Sequence, residues 1–148
     1  MTPSVLVSTS RLIAALWLGG GAALLAIAAP AAFRGAGDPT HAASIVGDML
    51  GQWRYLAIGA PVLLLILSAV RRGRRGPMIL VALALLLAFA QMAVDAQIHK
   101  IRLQSSVPIS SLEKSDPVRR HFGMLHGASS GLMLLQLIAA AAVVWIEE

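Results

Sequence analysis

Four stretches of this chain are too long and too free of charge to be covered by any shell that 148 residues could build around them. The first runs from Leu12 to Phe33 between Arg11 and Arg34 and contains no charged side chain. A helix rises 1.5 Å per residue, so about 20 apolar residues cross a hydrocarbon layer of about 30 Å. The second stretch covers Ala42–Val70, and its uncharged part is Tyr55–Val70. The third covers Pro77–Leu103, apolar from Met78 to Val94 except for Gln91. The fourth covers Pro117–Ile146, with Gln136 near its middle. Composition agrees: charged residues make up 13% and apolar residues 57%, where a soluble domain carries roughly 25% charged residues. Lipid is the solvent such a surface requires.

The expected fold is therefore all-α, a single transmembrane domain over residues 1–148 with helices at 11–33, 42–70, 77–103 and 117–146. Short connections at Gly35–His41 and Arg71–Gly76 favour an antiparallel up-down four-helix bundle. The longest connection, Gln104–Asp116, has the Ser and Pro content of a loop. Asp116 before Pro117 reads as an N-cap. Arg11 followed by an apolar run and Ala28-Ala29-Pro30-Ala31 imitates a secretory leader, but the run is longer than the usual leader core, so a spanning helix is expected. Trp53 and Tyr55 read as interfacial aromatics, and Trp145 as the marker of the opposite interface.

The net charge of +5 does not indicate nucleic acid. Arg71, Arg72, Arg74 and Arg75 fill a short gap between two apolar runs, where headgroups attract cations. That dense cluster argues for the cytoplasmic side, although Arg34, Lys100, Arg102, Lys114, Arg119 and Arg120 lie on the other. The expected location is a bacterial inner (plasma) membrane, multi-pass, with both termini cytoplasmic. The expected partners are the lipid bilayer and other membrane subunits or a second copy of the chain, and no nucleic acid. Small residues, Ala15-x3-Gly19, Gly20, Gly21 and Ala22 in the first run and Gly47-x3-Gly51 in the second, allow close helix approach. Packing within the bundle is the simpler reading, and a homodimer face the alternative.

Connectivity gathers the polar residues. An up-down chain places Asp48, Gln52 and Arg54 on the same membrane side as Asp95, His99, Arg102, His121 and His126. Asp95, His99 and Arg102 recur at i, i+4 and i+7, one helical face. Phe122, His126, Ser129, Met133 and Gln136 form a second, and Asp48, Gln52, Tyr55 and Gly59 a third. Turned inward, these faces would make a polar mouth of Asp48, Asp95, His99, Arg102, His126 and Ser129, with Gln91 and Gln136 reaching deeper. Ionisable groups in or near a bilayer are costly and so mark candidate sites. The structural reading is an Asp95–His99 pair within one helix and interhelical hydrogen bonds from His126, Gln91 and Gln136. The functional reading is a transporter or ion-binding protein, with Asp95, His99 and His126 as ligands if a metal binds. No spacing matches a known metal motif. Haem held by His99 and His126 would require both to face one cavity. No cofactor is expected. There is no cysteine, which excludes thiolate chemistry. A triad drawn from Ser129 or Ser130 with His126 and Asp48 lacks a nucleophile elbow, so a noncatalytic bundle, such as an accessory subunit of a membrane complex, is expected.

Several segments carry a resemblance. Trp17-Leu18-Gly19-Gly20-Gly21 with Ala28-Ala29-Pro30-Ala31-Ala32-Phe33, Ala43–Leu50, Asp95–Arg102, and above all His121-Phe122-Gly123-Met124-Leu125-His126-Gly127-Ala128-Ser129-Ser130 resemble the transmembrane-protein-205-like family. The last segment resembles the family's Phe-x-x-Leu-His-Gly-x-Ser. The family often has Asn a few residues later, where this chain has Leu132-Met133-Leu134. The resemblance implies a four-helix membrane protein with no established biochemical activity.

Overall fold

The structure is a computed structural model and describes residues 3–71 and 75–146. Its helices are α1 (Pro3–Ala23), a π-helical turn (Leu24–Ala28), α2 (Ala29–Gly35), α3 (Pro39–Val70), α4 (Arg75–Gln104) and α5 (Pro117–Ile146), with a 3₁₀ turn at Ile109–Ser111. α1, the π turn and α2 form one continuous span. With α3, α4 and α5 it gives four segments long and apolar enough to cross a membrane. The chain is a multi-pass membrane protein, and no strand occurs among the described residues. Each span packs on two others: the first on α3 and α5, and α4 between α3 and α5. The four close into a ring, with the α4–α5 contact the most extensive.

The first helix starts at Pro3, well ahead of Arg11. Pro3 occupies a first-turn position that needs no N–H. Leu6, Ser10, Ala14, Trp17 and Gly21 then recur at helical spacing and are all buried, so the inward face extends past Arg11, where the sequence predicts the helix to begin. Pro30 explains the π turn. It cannot donate to the Ala26 carbonyl, and its ring would press on that group. One wider turn absorbs the conflict, and Ala29 N–H bonds Leu24 O instead.

Two caps set the starts of α3 and α5. The Asp38 carboxylate accepts from His41 N at 3.0 Å, and Gly37, at φ +67°, makes the turn before it. Asp116 caps α5 as expected: its Oδ1 accepts from Val118 N at 2.7 Å and Arg119 N at 3.3 Å. Arg119 also donates to the Ser110 and Leu112 carbonyls and so ties down the long loop.

Trp53 is not an interfacial residue. It is 7% exposed and fills the contact between α3 and the first span. A Cβ on Gly20 would stand 2.8 Å from the ring, and one on Gly21 2.9 Å from it and against Leu137 Cδ2. The glycines of the first span thus serve packing within the bundle: lacking side chains, they admit an indole where hydrocarbon offers no hydrophobic drive and only close contact stabilises. Trp17, Ala57, Ala60, Leu64, Val81, Ala84, Met133, Leu137, Ala140 and Val143 complete this core. Trp145 is 77% exposed near the other end of α5. Arg72, Arg74 and the side chain of Arg75 lie outside the described residues.

Candidate functional site: a polar ladder between α4 and α5

The buried positions of α4 step by three and four residues: Val81, Ala84, Ala88, Gln91 and then Ile98. Asp95, half-buried, falls on this seam. On α5 the corresponding line is Ser129, Met133, Gln136, Ala140 and Val143. Where the two lines meet, polar side chains form a continuous ladder. Ser129 Oγ donates to Asp95 Oδ1 at 2.6 Å. Gln91 Nε2 lies 3.5 Å from Ser129 Oγ, the limit of a hydrogen bond. Gln136 Nε2 donates to Gln91 Oε1 at 2.7 Å and to the Leu132 carbonyl at 3.3 Å.

The direction of these bonds is uniform. The Leu132 carbonyl can only accept, which fixes Gln136 Nε2 beside it. Gln91 then presents its oxygen to Gln136 and its nitrogen to Ser129, and the Ser129 hydroxyl proton points at the carboxylate. Every donor faces toward Asp95, the strongest acceptor present, and aligned dipoles of this kind reinforce one another at low dielectric. The ladder descends from the helix ends into the bundle by about 10 Å at 1.5 Å per residue on α5. It ends at Gln136 Oε1, which is buried without a hydrogen-bond partner, in a residue 1% exposed. The Trp17 indole nitrogen is a second buried polar atom without one.

Just above the ladder, Arg102 lies with its guanidinium carbon 5.4 Å from the centre of the Phe122 ring, a cation–π contact. A Cβ on Gly47 of α3 would stand 3.5 Å from Arg102 Nη1. Phe122 stacks in turn on His126, centroids 6.2 Å apart and planes 4° from parallel. Phe122 therefore joins Arg102 of α4 to His126 of α5, about one helical turn from Ser129 on the same helix.

Asp48 and His99 do not join it. Both are exposed. The face of α3 that turns inward is Trp53, Ala57, Ala60 and Leu64, not Asp48, Gln52, Tyr55 and Gly59. The bulky ring of Trp53 decides the rotation of α3, and Asp48 and Gln52 are carried outward. His99 is i+4 from Asp95, but the seam advances by three to Ile98, leaving His99 a helical step aside. Hence Asp95, His99 and His126 are not assembled as a ligand set. Among the described residues no three His, Asp or Glu groups stand close enough to hold a metal ion. The triad geometry is absent as well, since Ser129 donates to Asp95 while His126 is exposed and stacked on Phe122.

A separate groove of about 490 Å³ opens between the end of the first span and the start of α3, lined by Ala28, Ala31, Ala32, His41, Ile45 and Met49 among others. It is mostly apolar and adjoins the π turn.

Against known proteins, one family model matches. It describes a domain of unknown function, DUF4149, and covers residues 12–106. The chain belongs to that family. No curated protein and no solved structure matches it. The matched region holds the first span from Leu12 onward, α3, α4 and the Asp95 and Gln91 half of the ladder. The Leu125-His126-Gly127-x-Ser129 segment, on which the resemblance to the transmembrane-protein-205-like family chiefly rests, lies beyond it.

Proposed function

We propose that this chain is a noncatalytic multi-pass membrane protein that acts as an accessory subunit, offering a rigid bundle against which other membrane helices pack. The observation that carries this reading is the ladder. The polar side chains that reach deepest into the span bond α4 to α5, each spent on a neighbouring helix instead of lining a cavity. Interhelical hydrogen bonds of this sort contribute about 0.6–2 kcal/mol each in a membrane. Such a clamp stiffens the bundle and supplies no reaction. A second observation supports association. Gly123, Gly127 and Gly131 recur every four residues on the exposed side of α5, and a Cβ at any of them would meet nothing within 4 Å. Backbone exposed in this way permits close approach by another helix.

A photo-crosslinking residue at exposed Met124 or Leu134 of α5 should yield a discrete adduct with another membrane protein or a second copy in native membranes. The same residue at Leu83 of α4, which is exposed and flanked on its helical face by Ile79, Leu80, Leu86 and Leu87, should yield none. Uniform lipid adducts at all three positions would contradict the accessory reading.

The reading extends to placement in a bacterial inner membrane with both termini cytoplasmic. Its support is the arginine density at Arg71–Arg75. Because the chain has no cysteine, single cysteines can be read without background. One at Ser106 should react with an impermeant thiol reagent in intact cells, and one at Gly73 only after permeabilisation. The reverse pattern would invert the topology.

A further inference from the structure

Asp95 is half-buried in a helix that crosses the membrane. Among the described residues it has no ion-pair partner, and its one hydrogen bond is from Ser129. The cations of neighbouring elements are turned elsewhere. Arg102 lies over Phe122 and against Gly47. His99 and Lys100 of α4, Arg54 of α3 and His126 of α5 are exposed. A carboxylate has about four acceptor positions, so most of this one's capacity is unused. Hydrogen bonds from neutral groups orient toward its charge without cancelling it, and an uncancelled charge at the edge of hydrocarbon is costly.

The surroundings define what would cancel it. The Ser129 oxygen gives its proton to Asp95, and the 3.5 Å contact from Gln91 occupies little of its lone-pair capacity. Carboxylate and hydroxyl oxygens, with no sulfur or imidazole beside them, suit a hard cation. One carboxylate charge is neutralised by one positive charge, whereas a divalent ion would leave an excess in a low-dielectric setting. Ser129 and Gln91, 6% and 7% exposed, form a closed floor. Asp95 itself is only partly buried, so water can complete a coordination shell and an ion can enter.

We propose that Asp95 and Ser129 form a binding site for a monovalent alkali cation, with sodium the probe of choice, at the outer end of the ladder. The site is independent of the accessory reading: the α4–α5 clamp holds with or without the ion, and an accessory subunit need not bind one. Occupancy would neutralise the charge that the ladder's donors face, so that the strength of the α4–α5 contact, though not its existence, follows cation concentration.

The test uses the full chain in detergent. Its thermal unfolding is followed in sodium chloride, potassium chloride and choline chloride at equal ionic strength and fixed neutral pH. Sodium should raise the midpoint by several degrees over choline, as expected for a ligand that binds only the folded state. Asp95→Asn, which retains an acceptor for Ser129, should remove that increment, and Ser129→Ala should reduce it. Sodium-23 NMR should show line broadening in the presence of the wild-type protein, a readout that does not depend on how the variants fold, and a folded Asp95→Asn protein should not produce it. Equal midpoints in sodium and choline together with unbroadened sodium resonances would overturn the site. So would an undiminished increment in a folded Asp95→Asn protein. A midpoint that responds to acidification alone, equally in choline, would assign the position to a proton and overturn the alkali-cation site.

Discussion

Replacing Trp53 with alanine will destabilise the bundle by about 3 kcal/mol, among the largest losses expected from truncating one side chain of this core. Trp→Ala in soluble cores costs roughly 3–5 kcal/mol through lost contacts and a residual cavity. The lower end applies here, because the unfolded reference in a membrane returns the ring to lipid rather than to water. The indole lies against Gly20 and Gly21, which have no side chains that could move into the space, so the cavity persists. Trp145→Ala, at a position 77% exposed, is the control and should change stability by less than about 0.5 kcal/mol. Unfolding by a denaturing detergent, read from helical circular dichroism, compares the two. A Trp53→Ala protein as stable as Trp145→Ala would mean that the ring is not the keystone between α3 and the first span.

The architecture was legible because membrane helices announce themselves by what they lack. Leu12–Phe33 and Met78–Val94 contain no charge, and an apolar run of that length, too long for a barrel strand, satisfies its backbone in hydrocarbon as a helix. Connectivity alone then put Asp95 and Ser129 on one side of the membrane, and helical spacing put Ser129 and Gln136 on one face. The departures of the structure from the sequence pattern share one physical cause. Sequence shows which residues lie on a common helical face, but the rotation of that face depends on the partner helix. Arg54 and Tyr55 directly after Trp53 give it the sequence context of an interfacial aromatic. Its actual destination was signalled by Gly20-Gly21, a notch wide enough for an indole on the neighbouring span. Once Trp53 turns inward, Asp48 must turn out. The i+4 spacing groups His99 with Asp95, yet a seam that alternates steps of four and three selects Ile98 and Arg102 after Asp95. Pro30 was a visible signal for the irregular turn upstream of it, since a proline within a spanning helix forces its preceding carbonyl to find another arrangement. The partnering of Gln91 with Gln136 depends on the vertical register of α4 against α5, which no local pattern encodes.

The ladder gives the second large effect. Gln91→Met removes both an acceptor for Gln136 and a donor to Ser129 while keeping the side chain's length. It leaves the Gln136 amide with the Leu132 carbonyl alone. A buried polar group stripped of its partner costs about 1–3 kcal/mol. Gln136→Met should cost less than Gln91→Met, because it also removes the acceptor atom that has no partner in the folded bundle.

The most direct measurement of the clamp is the double-mutant cycle through these two positions, with stability measured for the wild type, Gln91→Met, Gln136→Met and the double variant under one detergent condition. If α4 and α5 are held by the amide–amide bond at 2.7 Å, the double variant will lose less than the two single losses added together, by about 1 kcal/mol. Losses that simply add, with no coupling between the two glutamines, would contradict the ladder.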